Sequence, residues 1–363
     1  MDKLGDMLNQ PVALAAGHLA AGMLETAQKA CDRLTDEKDS EALHHFRVSV
    51  RKLRTYLQAY RDHLDKTAFK KAGRVLRELM KATNRDRDDQ VHVRWLRHHV
   101  ARRRVSQLER SGIRLALDEL EARRATMMDD MPRVQEQFGK VARKMQRRLQ
   151  RKPGPLKLDD RRMAVNFAAA LDELVGARTD ELRRRLANLH QGDDLNLAHQ
   201  VRLASKRLRY LLEPVREDFH DARPIVRRLK ALQDVLGTMN DLQVLSQRVD
   251  ASMSQLALDY SSSLGAAARS KGNLSGLRRD LPTLRACHAL AAVLRRIHIE
   301  QTGLLKRCRR EWDEERASRF FATVDRLRLK ITDRDRNAPP PPTPPTDVET
   351  HESISAEDAG VQP

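Results

Sequence analysis

Apolar residues recur along this chain at steps of three and four. From Ile225 onward, Val226, Leu229, Leu232 and Leu236 follow at steps of 3, 3 and 4. That spacing places them on one stripe of an α-helix. β-branched runs with alternating polar positions, the mark of strands, are missing. Glycine and proline are sparse between residues 12 and 330, and seven of the 14 prolines fall after Ala338. The pattern predicts an all-α body of long helices joined by short turns. Arg151-Lys-Pro-Gly-Pro-Leu cannot continue a helix, so a linker is expected at 151–158. It separates a first helical bundle, about 12–150, from a second, about 159–335. The segment from Ser261 to Asn273, rich in Ser, Ala and Gly, reads as a loop or a frayed helix end. From Ala338 the run PPPPTPP and the polar, acidic residues after it read as a disordered tail, 338–363.

The two halves repeat each other. HHFRVSVRKLRTYL from His44 aligns with HQVRLASKRLRYLL from His199 at an offset of 155. His44 meets His199, Arg47 meets Arg202, Arg51 meets Lys206, Lys52 meets Arg207 and Arg54 meets Arg209. The next helix repeats at an offset of 153: Lys70, Arg74 and Arg77 meet Arg223, Arg227 and Lys230, and Arg87-Asp88 meets Asn240-Asp241. Asn84 falls where Gly237 sits, so both are expected to end a helix in the left-handed region. Arg87-Asp88 and Asn240-Asp241 are then expected to cap the helix that follows. Two basic helices in the same order, at nearly the same separation, point to an internal duplication.

Charge sharpens the picture. The chain carries 69 Lys and Arg against 51 Asp and Glu, a net +18. The tail holds five acids and no Lys or Arg, which leaves +23 on residues 1–337. A body this basic is suited to a polyanion: nucleic acid, a polymeric phosphate or an anionic membrane surface. Three dispersed cysteines without a CxxC exclude a disulfide scaffold and a thiolate zinc site, and fit a reducing cytoplasm. No apolar run reaches the ~18–20 residues of a membrane span. The stretch from Val12 to Leu24 lacks the form of a signal peptide. GxxxxGK[ST], HExxH and a strand-bound GxGxxG are absent.

The repeated cations share faces. His44, Arg47, Arg51 and Arg54 lie at positions 0, 3, 7 and 10, as do His199, Arg202, Lys206 and Arg209. Each row is about 15 Å long at a rise of ~1.5 Å per residue. The second helix adds Lys70, Arg74, Arg77 and Lys81, and its counterpart Arg223, Arg227 and Lys230. Like charges in a row repel, and an extended anion would neutralise them. Arg forks suit phosphate oxygens, Lys acts as a point charge, and a bound phosphate would favour charged His. Other runs, Arg102–Arg104, Arg147-Arg148 and Arg183–Arg185, read as solvated surface.

The motif HxxRVxxRKLR, repeated as HxxRLxxKRLRY, resembles the conserved histidine α-helical domain (CHAD) family, and LQDVLGTMNDLQV resembles that family's second helix. The resemblance spans roughly residues 12–330. It implies two related helical bundles with pseudo-two-fold symmetry and a basic cleft between them. It also implies binding of inorganic polyphosphate and association with polyphosphate granules in the cytoplasm. Carried over by motif, the binding residues are His44, Arg47, Arg51, Lys52, Arg54, His199, Arg202, Lys206, Arg207 and Arg209. The repeat alignment and the stripes add Arg74, Arg77, Arg227 and Lys230, and the second helix's stripe adds Lys81. Some members carry a fused triphosphate tunnel domain with an ExExK strand; Glu119-Leu-Glu121-Ala-Arg123 is helical in pattern and ends in Arg.

The residues leave rivals open. A nucleic-acid binder fits the charge, and Tyr56, Tyr60 and Tyr210 lie near the stripes, where base stacking or packing suits their spacing. Histidine phosphotransfer would need a lone exposed His, not two ten-residue cation rows. Polyphosphate hydrolysis would need metal-binding carboxylates beside the stripe. The stripe helices offer Glu213 alone, where the first half has Gln58. The reading is therefore a non-enzymatic polyphosphate binder with neither metal nor organic cofactor.

Overall fold

In a computed structural model of the 363-residue chain, the described residues are 7–36, 38–39, 41–64, 66–102, 104–125, 131–150, 165–192, 195–269 and 281–336. They form α1 (Val12–Asp32), α2 (Ala42–Ala59), α3 (Lys66–Ala82), α4 (Asn84–Val100), α5 (Gln107–Ala125) and α6 (Met131–Gln150). These are followed by α7 (Phe167–Gln191), α8 (Leu195–Leu212), α9 (Ala222–Arg269), α10 (Leu281–Glu311) and α11 (Glu314–Arg336). The protein is all-α, as the apolar periodicity predicts. Among the described residues the β-type pairing is a single bridge between Pro11 and Asn166. Val12 N donates to Val165 O at 3.1 Å and Phe167 N to Gln10 O at 2.9 Å. The bridge ties the start of α1 to the start of α7, and Asn166 caps α7 by accepting from Ala169 N. The expected linker, 151–158, and tail, 338–363, lie outside the described residues.

Helices α1, α2, α3 and α6 pack together, and so do α7, α8, the first part of α9 and α11. One continuous apolar core joins these two groups, from Phe46 and Phe138 to Leu208 and Val324. Tyr60 stacks on Phe167 with ring centroids 5.6 Å apart, so an aromatic contact crosses from one half to the other. Burying side chains of this kind contributes about 1.5–3 kcal/mol each. The second core is distal: Val93 and Leu96 of α4 and Ile113 of α5 pack on Leu242 and Leu245 of α9 and Leu290, Val293 and Ile297 of α10. Helices α4 and α5 leave their own half and bury their apolar stripes against α9 and α10. Gly112 permits the α5–α10 approach, because a Cβ there would collide with the Ala289 carbonyl oxygen.

Three local expectations are corrected. Helix α9 runs unbroken for 48 residues and carries Ser261 to Arg269 as helix. Gly237 is in mid-helix, and Asn240-Asp241 cap nothing. In the first half the chain does break, at Thr83 between α3 and α4. There φ is −87° and ψ is 3°, which is not left-handed. Asn84 opens α4, and Arg87 and Asp88 lie within it. The Thr83 hydroxyl donates to Leu79 O, a side-chain bond that competes with helix continuation.

Candidate functional site

Two of the four α2 stripe residues, Arg51 and Arg54, face the groove between α2 and α3. Arg51 and Arg54 of α2 and Lys70, Arg74 and Arg77 of α3 line a pocket of about 670 Å³. Arg61, just after α2, also lines it, and Arg178 of α7 and Arg207 of α8 enter from the other half. Leu57, Phe69 and Leu211 supply an apolar wall. Eight cations thus line the pocket and, among its described residues, no carboxylate does. Arg178 and Arg207 share Glu181, and Arg61 pairs with Asp62. Arg51, Arg54, Lys70, Arg74 and Arg77 have no ion-pair partner among the described residues. Gly73 also lines the pocket, and a Cβ there would project into open space.

Helices α2 and α8 touch, and Arg51 of one stripe lies close enough to Lys206 and Arg202 of the other to repel their charge. The crowding shows in the proton affinities. Lys206 is pushed down to about 6, first by burial and then by Arg51, Arg202 and Arg209, against the opposing pull of Asp241. Burial also lowers Arg202, with Arg51 adding to the effect and Asp241 opposing it. Arg54 is lowered by burial and by Arg77 and Arg51. Asp241 therefore sits among the cations. Its repeat partner Asp88 is raised by burial. The Arg87-Asp88 and Asn240-Asp241 pairs, expected as caps, belong to this central charge layer.

Equivalent residues of the two halves have different surroundings. Arg47 is 4% exposed and donates to Met80 O, Thr83 Oγ1 and Asn84 Oδ1 at 2.7–2.8 Å. Its guanidinium holds the α3–α4 junction together and points away from solvent. Arg202, its counterpart, faces a continuous helix, and its Nε has no hydrogen-bond partner. His44 is lowered by burial and then by Arg87, with Glu41 opposing, so its neutral form is favoured without a ligand. Where the first half has Arg87, the second has Asn240, and His199 Nδ1 lies 2.9 Å from Asn240 Oδ1. His199, Arg227 and Lys230 are exposed outside the pocket.

Other sequence-predicted cations are paired. Lys52 Nζ lies 2.7 Å from Glu213 Oε2, and Arg209 Nε 3.1 Å from Glu213 Oε1. Lys81 pairs with Glu78 one turn away. Arg178 and Arg61 are pocket residues that sequence reasoning missed. Arg61 follows the stripe by seven residues from Arg54, a spacing that could have found it. Arg178 lies on α7, outside the repeated motif, and only the packing of α7 brings it in. Tyr56, Tyr60 and Tyr210 are all buried. Among the described residues no three His, Cys, Asp or Glu side chains converge as metal ligands would, and no helix is long and apolar enough to cross a membrane.

Fold and groove together define a helical protein with a cation-lined cleft. The family model for the CHAD domain matches residues 18–250, well over half of the chain. The chain belongs to that family. Among solved structures, it is similar to the crystal structure of the CHAD domain from the plant Ricinus communis, with 20% identity and a TM-score of 0.52. That match covers 81% of this chain and 93% of the plant domain, and it supports the shared fold. No curated protein matches this sequence.

Proposed function

We propose that this protein binds inorganic polyphosphate, without catalysis, in the α2–α3 groove, and that this places it on polyphosphate granules in the cytoplasm. The observation that carries the reading is the groove itself: eight lining cations and, among its described residues, no carboxylate. Polyphosphate is a flexible row of anions with no bases to read. It suits a row of cations without stacking surfaces. A single-stranded nucleic acid would want exposed aromatics beside those cations, and the three nearby tyrosines are buried.

The test is a titration of the full chain with long-chain polyphosphate, with single-stranded DNA and heparin as controls at matched charge. Wild type is compared with Arg51→Ala/Arg54→Ala/Arg74→Ala/Arg77→Ala. A ligand bridging six or more cations should lose on the order of a thousandfold in affinity between about 50 and 200 mM salt, on the scale measured for DNA. A preference for polyphosphate that the fourfold variant loses, with helicity intact, supports the reading. Equal binding of all three polyanions, or undiminished binding by the variant, refutes it.

A further inference from the structure

The tail and the groove carry opposite charge. Residues 337–363 contain five carboxylates and no Lys or Arg, and all five fall between Asp347 and Asp358. Eight cations line the α2–α3 groove, and Arg51, Arg54, Lys70, Arg74 and Arg77 have no ion-pair partner among the described residues. Lys70, Arg74 and Arg77 are exposed. The fold brings the root of the tail within range of this groove. Arg328 of α11 pairs with Asp172 of α7, and Arg183 of α7 lies over the Phe321 ring of α11, so the two helices run antiparallel. The end of α11, at Arg336, therefore lies toward the start of α7. From there to the level of Arg178, the residue of α7 that lines the groove, is about 20 Å along the shared axis at ~1.5 Å per residue. Asp347 stands 11 residues beyond Arg336, and Asp358 stands 22 beyond it. At ~3.1 Å per residue, the pace of a proline-rich stretch, those spans come to about 34 and about 68 Å. The chain is long enough to bring each tail carboxylate to its own groove.

We propose that the acidic segment Asp347–Asp358 docks in the α2–α3 groove of its own chain and competes there with polyphosphate. This inference rests on the reading of that groove as the protein's polyanion site, whichever polyanion it prefers. Carboxylates and phosphates draw on the same Arg and Lys donors through charge-assisted hydrogen bonds. A tether of this length supplies its segment at an effective concentration of about 1 mM. A segment that binds at ~0.1 mM on its own would fill the groove about nine-tenths of the time and weaken an outside anion about tenfold. A single phosphate ion does not displace it, whereas a long polyphosphate, with many charges on one chain, does.

The experiment joins carboxylates to neighbouring amines in the full chain with a carbodiimide, which forms an amide with loss of water, and mass spectrometry reads the sites. Crosslinks from Asp347–Asp358 should favour Lys70 at least about fivefold over Lys144 and Lys306, exposed lysines outside the groove. Long-chain polyphosphate should erase that preference. In a titration at about 50 mM salt, Asp347→Asn/Glu349→Gln/Glu352→Gln/Glu357→Gln/Asp358→Asn should bind polyphosphate about tenfold more tightly than wild type. Glu25→Gln/Glu121→Gln/Glu136→Gln/Glu217→Gln/Glu315→Gln removes the same charge from exposed positions of the body and should gain under about threefold. Helicity and thermal melts check both variants, and the crosslinking arm needs neither to fold. No preference for Lys70, equal gains by the two variants, or crosslinks confined to dimers would overturn the inference and leave the polyphosphate reading standing. Lys70 crosslinks that heparin displaces as well as polyphosphate does would support the docking and remove the polyphosphate reading.

Discussion

Lys206→Met removes an amine whose charged form is disfavoured first by burial and then by the surrounding cations. In the folded chain Lys206 titrates at about 6, against 10.5 for an unperturbed lysine. Between those values the unfolded chain holds a proton that the folded chain lacks. Stability of the unliganded protein therefore rises with pH across that window. The penalty is complete below about pH 6 and gone above about pH 10.5. At pH 7 the remaining 3.5 pH units correspond to about 5 kcal/mol. Methionine keeps the apolar stem and discards the charge. Lys206→Met should therefore stabilise the unliganded protein by up to about 5 kcal/mol at pH 7 and by under about 1 kcal/mol at pH 10. Urea unfolding of both proteins from pH 6.5 to 10, in buffers free of phosphate, measures the difference. A bound polyanion should return the proton. Wild type should then take up close to one proton on binding at pH 7.5, read by calorimetry in two buffers of different ionisation enthalpy, and the variant clearly less. Parallel pH profiles for the two proteins, or a variant less stable than wild type at pH 7, would refute the crowding argument.

Arg47→Met should destabilise by about 2–4 kcal/mol in urea melts, because it strips the buried acceptors at the α3–α4 junction of their donor. Arg202→Met, the same change at the repeat position, should cost under about 1 kcal/mol, since the continuous helix there needs no such tether. Gly112→Ala should lower stability by about 1–3 kcal/mol, seen as a lower melting temperature, because the Ala289 carbonyl cannot yield to a methyl group. Gly73→Glu places a carboxylate in the groove with room to spare. It should weaken polyphosphate binding at least tenfold while leaving the melting temperature equal or higher, since Gly is the poorer helix former by up to about 1 kcal/mol.

Helix formation, the spacing of the cations and the likeness of the two motifs are local properties. A 3.6-residue period is visible in any window of the chain, so the all-α class and the stripes from His44 and His199 were open to reading without coordinates. The sequence also showed that Glu213 faces Gln58 across the repeat. What tertiary structure decided is which cations remain available. Arg47 looks like any stripe arginine until the break at Thr83 buries it. Lys52 looks free until Glu213, 161 positions away, reaches it. Gly237 and Ser261–Arg269 carry residues that usually end helices, yet α9 continues through both, and between them Leu242, Leu245 and Val249 pack on α5 and α10. Helices α4 and α5 crossed to the distal core because their apolar faces found partners there, a choice made by three-dimensional fit. Burial and pairing depend on residues far apart in the chain. The pattern therefore determined where charge lies on each helix, and only the packing decided which charge faces an open groove.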